Sequence, residues 1–136
     1  MLILILKEKE MKTYLIYADE GQYCGLHGMY DWDIVECADE DEAKEIGMEM
    51  SYELITSYSS LIDSFEQEAK EELLGDGVSR EDPNWEDMIS DCIEEFIDED
   101  TQYRIFELKP GFDYSTIDTQ NEDWEDIRDI YAVKEI

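Results

Sequence analysis

Positive charge is the first thing this chain lacks. Ten Lys and Arg stand against 39 Asp and Glu, and the net charge is -29 at neutral pH. A field of that sign repels nucleic acid and anionic membrane surfaces, and it attracts basic partners, above all proteins whose own ligand is a polyanion. Direct nucleic-acid binding is further disfavoured because no basic patch interleaved with aromatics is present. Cysteine is sparse too: Cys24, Cys37 and Cys92 cannot close a disulfide framework, and the odd count suits a reducing, cytoplasmic setting. No apolar run reaches membrane-spanning length, the opening MLILIL included, and no small-residue cleavage site follows it.

What the chain does contain is enough to fold. With 136 residues, 43% hydrophobic and 12% aromatic, it has the size of one domain with a real core and is not an acidic disordered tail. High-salt adaptation is a poor account of the acidity, because the chain is poor in Ala and rich in Ile and Tyr. Its residue usage points to an AT-rich bacterial or phage genome. Lys7-Glu8 can be encoded as a ribosome-binding sequence two codons before Met11, so Met11 is expected as an alternative start with residues 1–10 a leader; an extra strand or a disordered leader within the native chain is the other reading of these residues.

The longest pattern runs from 39 to 74. Ala43, Ile46, Met50, Leu54, Tyr58, Leu61, Phe65, Ala69 and Leu73 recur at three- and four-residue steps, which predicts a long helix, or a helix with one break, bent near Ser59-Ser60 and stopped by Gly75-Asp76-Gly77. Residues 12–18 (KTYLIYA) and 30–37 (YDWDIVEC) read as strands joined as a hairpin, and Asp39 or Asp41 as the helix cap. Trp85, Met88, Ile89, Cys92, Ile93, Phe96 and Ile97 mark a second amphipathic helix. Residues 101–108 and 127–136 read as the third and fourth strands, with 112–126 a long loop holding at most a helical turn at Trp124. The expectation is an α+β domain, order ββααββ, with two acidic amphipathic helices on one face of a small antiparallel sheet.

Off the apolar stripe stand Glu42, Glu45, Glu49 and Glu53, and on the second helix Asp87, Asp91, Glu94, Glu95 and Asp98, followed by Glu99 and Asp100. Like charges four residues apart cost a helix about 0.2–0.5 kcal/mol per pair, whereas one buried Leu or Phe returns about 1.5–3 kcal/mol. Folding tolerates the repulsion but does not require it, so its use lies outside the fold. Carboxylates four residues apart repeat about every 6 Å, and a DNA strand offers a phosphate every ~3.4 Å. One row is too sparse to imitate a strand; two rows together approximate one.

Small size, extreme acidity and acidic helices beside a small sheet resemble the DNA-mimic inhibitors of phages and mobile elements, including some anti-CRISPR and antirestriction proteins. The resemblance is general and rests on no family motif. It implies a non-enzymatic, phage-encoded inhibitor that occupies the basic nucleic-acid groove of a Cas effector nuclease. No functional residue carries over from it; the charge rows themselves nominate the eleven acidic residues just named as the contact set. An antirestriction protein, an antitoxin or immunity protein against a basic nuclease, and a metal-binding regulator are the other readings.

Other chemistry is poorly supported. Cys24-Gly25-Leu26-His27 has the spacing of half a zinc site that Cys37 and Cys92 could complete, but a second close Cys pair is missing. The same Cys and His lack a third group for nucleophilic catalysis. No segment fits a calcium loop, and no glycine loop with a Lys is present to cradle phosphate. No cofactor is expected. Tyr23, Leu26, Met29, Tyr30 and Trp32 crowd residues 21–32, either covering one end of the sheet or serving as anchors at an acidic-rimmed interface.

Overall fold

The computed structural model describes residues 11–19, 30–57 and 59–136. Strands β1 (Lys12–Asp19) and β2 (Tyr30–Cys37) come first. Helices α1 (Glu40–Thr56), α2 (Ser59–Gly75) and α3 (Trp85–Asp100) follow. β3 (Gln102–Leu108), a 3₁₀ turn (Tyr114–Thr116), α4 (Trp124–Tyr131) and β4 (Ala132–Glu135) complete the order. The sheet runs β2-β1-β3-β4, every neighbouring pair antiparallel. The chain is thus an α+β domain built on a four-stranded antiparallel sheet.

β1 is central, and its Tyr14, Leu15 and Ile16 are all buried because both faces of the sheet are covered. Successive side chains go to opposite faces. Tyr14 and Ile16 pack with Cys37, Ala43 and Ile105 beneath α1, while Leu15 packs with Trp32, Phe106, Trp124 and Ile127 beneath α4. This corrects the expectation of ββααββ with helices on one face: the described order is ββαααβαβ. Trp124, Ile127 and Tyr131 recur at three- and four-residue steps and form a helical stripe, so only Ala132–Glu135 of the expected fourth strand is extended.

The long helical pattern is two helices. Thr56 and Ser57 turn their hydroxyls back onto the carbonyls of Tyr52 and Leu54, at 2.9 and 2.7 Å, and α1 ends there, two residues before the expected bend. α2 and α3 then pair as a hairpin around Ala69, Leu73, Trp85 and Ile89. A second cluster of Ile55, Leu61, Phe65 and Ile97 fixes the hairpin to the end of α1. α2 ends as predicted: Gly77 has φ +85, and the Val78 N–H returns to the Leu73 carbonyl at 3.0 Å. The proposed leader, Tyr58 of the stripe, and Tyr23, Leu26 and Met29 lie outside the described residues. Among the described residues no helix is long and apolar enough to cross a membrane.

Candidate acidic interface on the helical layer

α1 begins with a reciprocal cap. Asp39 accepts the Glu42 N–H at 2.9 Å, and the Glu42 carboxylate accepts the Ala38 N–H at 2.8 Å. Glu42 is therefore half-buried in the cap rather than fully exposed. The buried line of the helix is Ala43, Gly47, Ser51 and Ile55, with the predicted Ile46, Met50 and Leu54 half-buried on its shoulders. Small residues face the sheet because the helix lies very close to it. Glu45, Glu49 and Glu53 stand two residues off the buried line, about 200° around the helix, and all three are exposed.

α1 is clipped to the sheet by a residue that the apolar pattern passed over. Ser51 is fully buried, donates to the Asp19 carbonyl at 2.6 Å, and accepts the Gln102 N–H at 3.0 Å. One hydroxyl thereby joins α1, the end of β1 and the start of β3. The outward direction of the Glu45, Glu49 and Glu53 row follows from that seat.

On α3, Asp87, Asp91, Glu94 and Asp98 form an exposed row at four-, three- and four-residue steps, with Glu95 and Glu99 exposed beside it. Tyr52, adjacent in sequence to Glu53, donates its hydroxyl to Glu94 at 3.1 Å. This bond ties α1 to the α3 row. It also pushes the Tyr52 phenol above its ordinary pKa, because the neutral hydroxyl is the form that donates to Glu94. Asp100, the last residue of the expected set, is only 8% exposed and lines a groove between α2, α3 and β3 rather than joining the exposed row.

Nine of the eleven expected residues are therefore exposed, and none of the nine takes part in a salt bridge among the described residues. The reason is where the basic residues went. Between positions 38 and 101 lie 23 of the 39 acidic residues but only 3 of the 10 basic ones. Arg104 and Arg128 are on the opposite side of the sheet, with guanidinium groups 5.0 Å from the rings of Phe106 and Trp124 respectively. Arg104 also grips Glu135 with two bonds of 2.8 and 3.0 Å, which holds the Glu135 carboxyl below its ordinary pKa.

Beside the acidic rows is an open groove of about 530 Å³ where α2 and α3 approach β3. Phe65 and Phe96 line it with ring centroids 6.0 Å apart, and Glu68, Glu99, Asp100, Thr101 and Gln102 complete its lining. The phenylalanines were expected as core; the groove depends on where the hairpin docks and has no signal in the sequence.

Among the described residues no group of three or more His, Cys, Asp or Glu is arranged to hold a metal ion. Cys37 and Cys92 sit in separate apolar clusters, and burial pushes both thiols up. Cys24 and His27 lie outside the described residues. Trp32 is buried under α4, whereas Tyr30 is 53% exposed and stacks on Tyr17. Comparison with family models, with curated proteins and with solved structures finds no match to the chain.

Proposed function

We propose that this protein is a non-enzymatic inhibitor that binds the basic nucleic-acid groove of a DNA-handling protein, a Cas effector nuclease foremost, and excludes its DNA. The observation that carries this reading is the set of exposed carboxylate rows on α1 and α3, outside every salt bridge among the described residues, on two helices tied together by the bond between Tyr52 and Glu94. Two rows supply what one cannot, a density of negative charge nearer to that of a phosphate backbone. Arg and Lys side chains placed to receive phosphates would meet carboxylates instead, and Arg would grip them bidentately. Steering by so large a net charge gives fast association, which a competitor of DNA needs.

The test is displacement. Purified protein is added to a panel of guide-loaded Cas effectors and restriction enzymes, and binding of labelled target DNA is followed. Loss of binding to one member at near-equal protein concentration supports occlusion and identifies the target. Undiminished DNA binding across the panel removes these enzymes as targets and turns attention to basic nucleases.

A further inference from the structure

We infer that the groove between α2, α3 and the start of β3 is an anchor pocket for an arginine side chain of the basic partner. The inference rests on the proposed function, since it supplies the point at which a charge-steered partner would lock. Long-range attraction sets the approach but gives little register; a side chain seated in a recess gives both register and a slow off-rate. The groove has the size of a binding site, about 530 Å³, within the usual span of roughly 300–1,000 Å³. Half-buried Phe96 lines it together with Glu68, Glu99 and Asp100, and no basic residue among those described lines it.

Arginine fits this chemistry better than lysine. A guanidinium is planar, weakly hydrated, stacks on an aromatic face and bonds carboxylates with two N–H groups at once, whereas an ammonium is a compact and strongly hydrated point charge. The same molecule displays the arrangement on its other side. There the Arg104 guanidinium lies 5.0 Å from the Phe106 ring centroid and holds Glu135 with two bonds. In the groove the aromatic ring and the carboxylates recur, and the partner would bring the guanidinium.

The experiment compares hexa-arginine with hexalysine, peptides of equal charge, titrated into the full chain labelled with ¹⁵N. Hexa-arginine is expected to bind roughly three- to fivefold more tightly, the increment of one partly exposed cation–π contact. Its largest amide shifts should fall at Phe96, Glu99, Thr101 and Gln102. In the variant Phe96→Leu, with an unchanged circular-dichroism spectrum, the two peptides should bind alike, and in the double variant Glu68→Gln, Glu99→Gln both should bind more weakly. Equal affinity for the native chain, or arginine-induced shifts spread over the exposed rows of α1 and α3 with none centred on the groove, overturns the inference. A failure of the chain to displace DNA from any enzyme would instead defeat the proposed function and leave this titration unchanged.

Discussion

Gly47 lies so close to Tyr103 that a methyl group on its Cα would sit 2.9 Å from the Cγ and Cδ2 of the ring and 3.1 Å from the Cδ1 of Ile105. The absent side chain sets the depth at which α1 seats on the sheet. Replacing a helical glycine by alanine ordinarily gains about 0.8–1.0 kcal/mol. Here the clash is with the base of a ring rather than the end of a flexible chain, and overpacking costs about 1–3 kcal/mol. Gly47→Ala is therefore expected to lower stability by about 1 kcal/mol in urea unfolding. A rise in the midpoint would show that the helix can move off the sheet at little cost.

Ser51 is expected to be more sensitive still. Ser51→Ala leaves the Asp19 carbonyl and the Gln102 N–H without their shared buried partner, at a cost of about 1–3 kcal/mol. Hydrogen exchange at Gln102 should accelerate in step with the lost stability. Full protection at that amide would mean that another acceptor replaces the hydroxyl.

Tyr52→Phe separates the two roles of α1, since it removes the bond to Glu94 and keeps the ring. The bond lies at an exposed site, so global stability should fall by less than about 1 kcal/mol. The phenol is held above its ordinary pKa of 10.0, so the contribution of the bond is present below that value and lost as pH rises through the raised one. The stability difference between native and variant chains should accordingly vanish at high pH. A difference that persists there would assign it to packing.

The Arg104–Glu135 pair has the opposite dependence. Arg104 lowers the Glu135 pKa below its ordinary 4.5, so the pair contributes stability above that value and loses it as pH falls through the lowered one. Both side chains are close to half exposed, which limits the contribution to about 0–1 kcal/mol. Glu135→Gln should be the less stable chain at pH 7 and indistinguishable from native in strong acid.

Reversal of the α1 row tests surface against fold. Glu45, Glu49 and Glu53 lie outside the core, so changing all three to Lys should preserve the circular-dichroism spectrum and the melting transition while abolishing inhibition. Salt should weaken inhibition by screening, and the same salt should stabilise the free chain by relieving like-charge pairs such as Glu45 and Glu49. Inhibition that survives the reversal would remove this helix face from the interface.

The elements that sequence made plain are those whose signal is local. Alternation in YDWDIVEC gives the bounds of β2, and the glycines at 75 and 77 end α2 where expected. Two misreadings share a cause, a local pattern overruled by tertiary packing. Residues 127–131 carry two isoleucines and a tyrosine that suit a strand, yet Trp124, Ile127 and Tyr131 line one helix face that the otherwise bare side of the sheet requires. The buried line of α1 includes Gly47 and Ser51, which no apolar pattern selects, because their value is small size and one hydroxyl. Of the expected contact residues, Glu42 and Asp100 differ from the rest for the same reason: cap geometry and burial are not written in charge. The bond from Tyr52 to Glu94 depends on the docking of α3 against α1, a long-range contact that spacing within either helix does not report.

Occlusion makes a demand that no looser form of acidic binding shares: DNA and this protein cannot occupy the target together. The decisive measurement mixes a target enzyme found by displacement with excess target DNA and excess protein, then resolves the complexes by native mass spectrometry. The account predicts enzyme–DNA and enzyme–protein complexes in proportions set by the two concentrations, with no ternary species. A stable ternary complex would contradict it, and would place the acidic rows on a surface other than the DNA groove.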